Sequence, residues 1–156
     1  MSLRIINNLI NCINTIDSGK YHHHYSGIYR NGKKMFIGSN SLRNSYNGEC
    51  ICYSTHAEMD VLYKILKQQK IKVKDVIDLS NYIIIVIRFG KDGDLKNSRP
   101  CNHCLETMIK YRIKKVIYSN DDGVMISEKP ESMEHCHVSS GWNAFLNPEK
   151  FKIKNS

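Results

Sequence analysis

The sequence predicts an α/β fold in three layers, α/β/α, with helices on both faces of a mixed sheet of about five strands. Three observations lead there. Two segments, Leu3 to Ile16 and His56 to Gln69, carry apolar residues at helical spacing. The run Tyr82 to Phe89 is almost wholly apolar, as a strand covered on both faces must be. Asn31-Gly32 separates two strand-like runs, the signature of a tight hairpin.

In chain order, Ile6, Leu9, Ile10, Ile13 and Ile16 form the stripe of the first helix, which Ser18-Gly19 ends. His24 to Ser39 is the hairpin. Asn40 to Ser54 is polar and irregular and reads as a loop. The second helix, His56 to Gln69, aligns Met59, Leu62, Ile65 and Leu66, with Ser54 or Thr55 as its cap. Gly90 to Arg99 is a polar connection. Pro100 then stands in the first turn of a third helix, Cys101 to Arg112, where its missing N–H costs nothing. Lys115 to Ser119 and Val124 to Ser127 are short strands. The Asp122-Gly123 turn between them makes them antiparallel, because a parallel pair needs a crossover of about a dozen residues. Beyond Pro130 the pattern is weak.

The 156 residues suit a single domain, 1–156, with its own core. No signal-peptide pattern follows Met1, and no apolar run approaches the ~20 residues of a membrane span. The six cysteines therefore read as thiols in a reducing, cytoplasmic setting, with close pairs as metal or redox sites. The formal charge of +8 comes from scattered lysines and not from a dense stripe. Charge of that kind bears on association and not on fold.

Cys101-Asn102-His103-Cys104 places a C-x-x-C pair at a helix start, where free backbone N–H groups and the helix dipole favour thiolate. Thiolate is the form that binds zinc. His56 stands at another helix start. Three ligands, His56, Cys101 and Cys104, leave one tetrahedral position open, the mark of catalytic rather than structural zinc. Water in such a position ionises near neutral pH. Glu58, two residues from His56, is placed to carry its proton.

His56-Ala57-Glu58 with Pro100-Cys101-Asn102-His103-Cys104 resembles the paired H-x-E and P-C-x-x-C signature of the zinc-dependent cytidine and deoxycytidylate deaminases. The order of elements is similar too, over about Leu3 to Ser127. The resemblance implies a cytidine deaminase-like fold and zinc (Zn2+) on His56, Cys101 and Cys104. It makes Glu58 the general acid/base in hydrolytic deamination of a cytosine-type nucleoside or nucleotide. Phe36-Ile37-Gly38-Ser39-Asn40 and Ser45-Tyr46 are similar to the sugar-binding stretch of cytidine deaminases. Asn40 and Ala57 are the substrate contacts this implies. Leu42 stands where that stretch has glutamate, and the second asparagine is displaced to Asn44. The family also implies a homo-oligomer, dimer or tetramer. The alternatives are a deaminase that edits RNA or DNA, guided by tyrosines near Tyr21 to Tyr29 and Tyr46 to Tyr53, and a non-catalytic protein that keeps the zinc fold.

Other clusters weigh less. His22, His23 and His24 alternate faces on a strand and cannot converge on one ion. Cys50, Cys52, His135, Cys136 and His137 leave a second metal site open, at spacings that match no zinc motif. Trp142 reads as an anchor for the tail. His103, between the zinc cysteines, points either to the pocket or to solvent.

Overall fold

The computed structural model describes residues 3–16, 24–41, 45–46, 51–52, 55–71, 75 and 77–134. Its elements are α1 (Leu3–Ile16), β1 (His24–Arg30), β2 (Lys33–Ser39), β3 (Ser45–Tyr46), β4 (Ile51–Cys52), α2 (Ala57–Gln68), β5 (Tyr82–Phe89), β6 (Leu95–Lys96), α3 (Asn102–Lys110), β7 (Lys115–Ser119) and β8 (Met125–Glu128). A 3₁₀ turn, Pro130–Ser132, follows. The main sheet runs β2-β1-β5-β7-β8, with β6 as a sixth strand pairing β5. Among the described residues no helix is long and apolar enough to cross a membrane.

The hairpin forms as the Asn-Gly pair requires. Asn31 and Gly32 both take positive φ, +49° and +77°, in the two-residue turn between Arg30 and Lys33. β1 then pairs antiparallel with β5, which pairs parallel with β7. The crossover between β5 and β7 carries α3. The last pair, β7 and β8, is antiparallel through a turn at Gly123, whose φ is +74°.

β5 is apolar because both its faces are covered. Ile84 and Val86 belong to one core with Leu62 and Ile65 of α2 and Leu105 and Met108 of α3. Ile85 and Ile87 face the other way, into a second core with Ile6, Leu9 and Ile13 of α1. A strand alternates sides residue by residue, so one apolar run supplies both cores. The three layers are thus α1, the sheet, and α2 with α3.

Close approach sets where α2 begins. A Cβ at Gly38 of β2 would lie 2.9 Å from the Ala57 carbonyl and 2.9 Å from Val61. Only a residue without a side chain lets the first turn of α2 rest on that strand. Asp60 then bridges the two elements. Its Oδ2 accepts from the Ser39 N–H at 3.2 Å and from Lys64 at 2.9 Å, and Lys64 also donates to the Ile37 carbonyl at 2.7 Å.

The structure corrects several expected boundaries. Six strands form the sheet where about five were expected, because β6 lies inside the polar Gly90 to Arg99 connection. The expected loop from Asn40 to Ser54 contains the short β3-β4 ladder. Two-residue strands carry no periodicity to read, and only their partners reveal them. β8 begins at Met125 and not at Val124. Thr55 does not cap α2, since His56 holds that position and makes no side-chain cap bond. Pro100 precedes the first turn of α3, because Cys101 is the cap residue. His22, His23, Leu42, Asn44, Ser54, Trp142 and the histidines and cysteine at 135–137 lie outside the described residues, as does Cys50.

Candidate metal centre

Two helix starts meet at the carboxyl end of the parallel strands, where α/β sheets commonly hold their ligands. α2 brings His56 at its cap and Glu58 in its first turn, and α3 brings Cys101 at its cap and Cys104 one turn on. The chain reaches Cys101 through Ser98, which is 3% exposed. Its hydroxyl donates to the Val86 carbonyl of β5 at 2.8 Å and accepts from the Ser119 N–H of β7 at 2.8 Å. Its own N–H donates to the Ser119 carbonyl at 2.8 Å. One serine therefore pins the approach to α3 across both strands.

Arg99 adds a second tie. It donates to the Tyr118 hydroxyl at 2.9 Å and to the Glu134 carbonyl at 2.6 Å, and its guanidinium lies over the Tyr118 ring. Tyr118 in turn donates to Glu128 at 2.7 Å.

α2 is tied to the sheet from its own side. The Ser26 hydroxyl of β1 donates to the Ala57 carbonyl. Thr55 and Ser41 exchange backbone bonds of 2.8 and 3.0 Å, which link the residue before His56 to the end of β2, beside Asn40.

The resulting geometry is tight. His56 Nδ1 lies 3.5 Å from Cys101 Sγ and 3.4 Å from Cys104 Sγ, and the three atoms all fall within 4.8 Å of one another. Zinc bonds of about 2.3 Å to sulfur and about 2.0–2.1 Å to nitrogen, at tetrahedral angles, separate the two atoms by about 3.6 Å. The observed spacings match that value, so the donor set fits zinc in both chemistry and distance. Cys101 is 3% exposed and Cys104 is fully buried.

Electrostatics reinforce the arrangement. A hydrogen bond from Cys104, then those of His56, hold the Cys101 thiol down to about 3 against the opposing effect of burial. The site therefore keeps a thiolate ready. The hydrogen bond to Cys101 lifts His56 to about 9 despite burial, with the Glu58 charge helping. Glu58 is 5% exposed. Desolvation pushes its carboxyl up to about 7, opposed by the charge of His56.

All four residues expected from the two motifs converge here. Asn40 directly follows β2, the strand that abuts α2, and its side-chain oxygen is buried with no hydrogen-bond partner among the described residues. Ala57 is 1% exposed and opens α2. His103 is half-buried on the first turn of α3. Sequence reading missed Ser98, Ser119 and Arg99. The signal was present in Asn97-Ser98-Arg99, a polar triplet leading into the zinc motif, where the Arg99 N–H donates to Asn97 Oδ1 at 2.9 Å. Replacing Ser98 by alanine strands the buried Ser119 N–H, which costs about 1–3 kcal/mol. Denaturant melts should show that loss, and zinc should bind more weakly as the cap of α3 loosens.

The family model for the cytidine and deoxycytidylate deaminase zinc-binding region matches residues 26–120. Among solved structures, cytidine deaminase from Burkholderia pseudomallei is similar with a TM-score of 0.56 at 16% identity, over 88% of this chain and 100% of that one. The dCMP deaminase of cyanophage S-TIM5 in apo form is similar with a TM-score of 0.48 at 19% identity, over 80% of this chain and 90% of that one. Its complex with dCMP and dUMP gives 0.48 at 17%, over 79% and 89%. No curated protein sequence matches.

Proposed function

The chain belongs to the cytidine and deoxycytidylate deaminase zinc-binding family, and from that premise we propose that it is a zinc-dependent hydrolase removing the amino group of a cytosine-type nucleoside or nucleotide. One observation carries the reading. His56 Nδ1, Cys101 Sγ and Cys104 Sγ stand at zinc-ligand spacing, with the buried Glu58 carboxyl on the same helix turn as His56. His56, Cys101 and Cys104 would hold the ion, which when bound supplies acidified water and a Lewis acid.

The chain's own residues do the remaining work. Glu58 is the proton carrier. Burial sets its affinity near neutrality, where it can both accept and give a proton. It takes a proton from the attacking water and gives it to the ring nitrogen. It then takes the proton of the resulting hydroxyl and gives it to the departing amine, so that amine and water become carbonyl and ammonia. Cys101 and Cys104 belong to one apolar core with Met59, Leu105 and Met108. That setting strengthens each polar contact to the base.

Asn40 would hold the sugar, because its buried oxygen lacks a partner among the described residues and an unpaired buried acceptor is costly. Ala57, as the first residue of α2, has an N–H without an intrahelical acceptor. That group would meet the base edge.

The test is ammonia release by purified zinc-loaded protein from cytidine, deoxycytidine, their monophosphates, guanine, and short RNA and DNA. Turnover of a cytosine nucleoside or nucleotide supports the reading. Turnover of polynucleotides alone, with affinity falling steeply in salt, would replace it by an editing role. Inertness toward all of them would leave a zinc fold without catalysis.

A further inference from the structure

Helix α1 and strand β2 meet at two side chains that deamination does not use. The Lys34 amine nitrogen lies 2.8 Å from the Cys12 sulfur. Ordinary N–H···O bonds span about 2.7–3.2 Å. The larger radius of sulfur sets N–H···S contacts a few tenths of an ångström longer. The pair is therefore closer than a usual hydrogen bond between these atoms. Nitrogen and sulfur joined through one bridging oxygen, with two single bonds meeting at a bent angle, have a similar span.

The surroundings point to an oxygen as well. Tyr29, which faces Lys34 across the hairpin ladder, is 2% exposed, and its hydroxyl has no hydrogen-bond partner among the described residues. Burial, then the charge of Cys12, pushes Tyr29 up to about 12, so it stays a donor. A buried donor without an acceptor is a standing cost, and an oxygen carried by the Cys12 sulfur would supply the acceptor. Small oxidants can reach the pair. Cys12 and Lys34 are both half-buried, and Lys34 and Tyr29 line an open groove of about 610 Å³ with Arg4 and Lys33.

We propose that Cys12 and Lys34 are a site of oxidative cross-linking, at which a hydroperoxide converts the facing thiol and amine into a covalent S–O–N bridge. In the first step the sulfur attacks hydrogen peroxide. The O–O bond breaks, the sulfur is oxidised by two electrons to a sulfenic acid, and one water leaves. In the second step the amine nitrogen is oxidised by two electrons as a second peroxide is reduced. The N–O bond forms, one N–H and the sulfenic O–H are lost, and two waters leave. Thiol, amine and two peroxides thus become the bridge and three waters. The bridge staples α1 to β2 and closes the chain between them into a ring.

The test treats the purified full chain with graded hydrogen peroxide, followed by proteolysis and mass mapping. The expected product joins the Cys12 and Lys34 peptides at a mass about 14 Da above their reduced sum, and dithiothreitol reverses it. Lys34→Arg keeps the positive charge and should lose the product, as should Cys12→Ser. The cross-linked chain should melt about 5 °C or more higher than the reduced one, because a ring restricts the unfolded state. Several results would overturn the site. They are Cys12 advancing to sulfinic acid with Lys34 intact, a Cys12 disulfide between chains, an S–N product about 2 Da below the sum, and a Cys12 inert to peroxide.

Discussion

Replacing Glu58 by alanine is expected to lower turnover about 10²- to 10⁴-fold, or to abolish it, while zinc stays near one per chain. The two readouts separate because the residue stands beside the ligand set and not within it. The ligand atoms of His56, Cys101 and Cys104 lie within 4.8 Å of one another, and Glu58 is not one of that group. What is lost is the proposed proton carrier, a carboxyl that burial has brought near neutrality. Glu58→Gln is the sharper variant. It keeps the shape and a polar head in a pocket where Glu58 is 5% exposed, but it cannot shuttle a proton. Its loss should fall on kcat, with KM little changed, as for an interaction made in the transition state. Ammonia release with metal analysis by mass spectrometry reads both quantities. A Glu58→Gln protein turning over at the parental rate would remove the proposed role.

Replacing Cys104 by alanine should cost more, taking metal and activity together. Cys104 is fully buried, so no solvent oxygen takes the place of its sulfur cheaply. Removal of one thiolate from three ligands should weaken zinc binding by about 10³-fold or more, well beyond the 10- to 100-fold typical of outer-shell changes. Zinc content should drop to background, and ammonia release with it. Part of the fold should weaken too, since Cys104 packs in the core with Leu62, Leu105 and Met108. A small apolar cavity of this kind typically costs about 1–3 kcal/mol. Chelation of the parental protein separates these effects. It should stop the proposed ammonia release without creating a cavity, and added zinc should restore it. Full zinc content in the Cys104→Ala protein would exclude that sulfur as a ligand.

Much of this arrangement was readable because its physical cause is local. Asn31-Gly32 dictates its own turn, the Tyr82 to Phe89 run can only be buried on both faces, and Ile6, Leu9, Ile10 and Ile13 of the α1 stripe all pack in the second core. The motif residues were readable because their chemistry permits few other uses. What escaped depends on partners distant in sequence. Leu95 and Lys96 become a strand only because Phe89 and Arg88 lie opposite them. Ser98 matters only because the ends of β5 and β7 converge on it. The caps were misplaced for a different reason. Neither histidine nor cysteine is a residue that capping preferences would put at a helix start. Both hold those positions here, where their side chains face each other across the site.

That last feature bears on how the chain breathes. His56 and Cys101 occupy the caps of α2 and α3 without giving either helix a side-chain cap bond. Each helix forgoes about 1 kcal/mol that an ordinary cap would supply. The two openings share a single fastener, so fraying of one should accompany fraying of the other. Amide hydrogen exchange would then register the first turns of both as one cooperative unit, quick to exchange after chelation and slowed in both together once the metal returns.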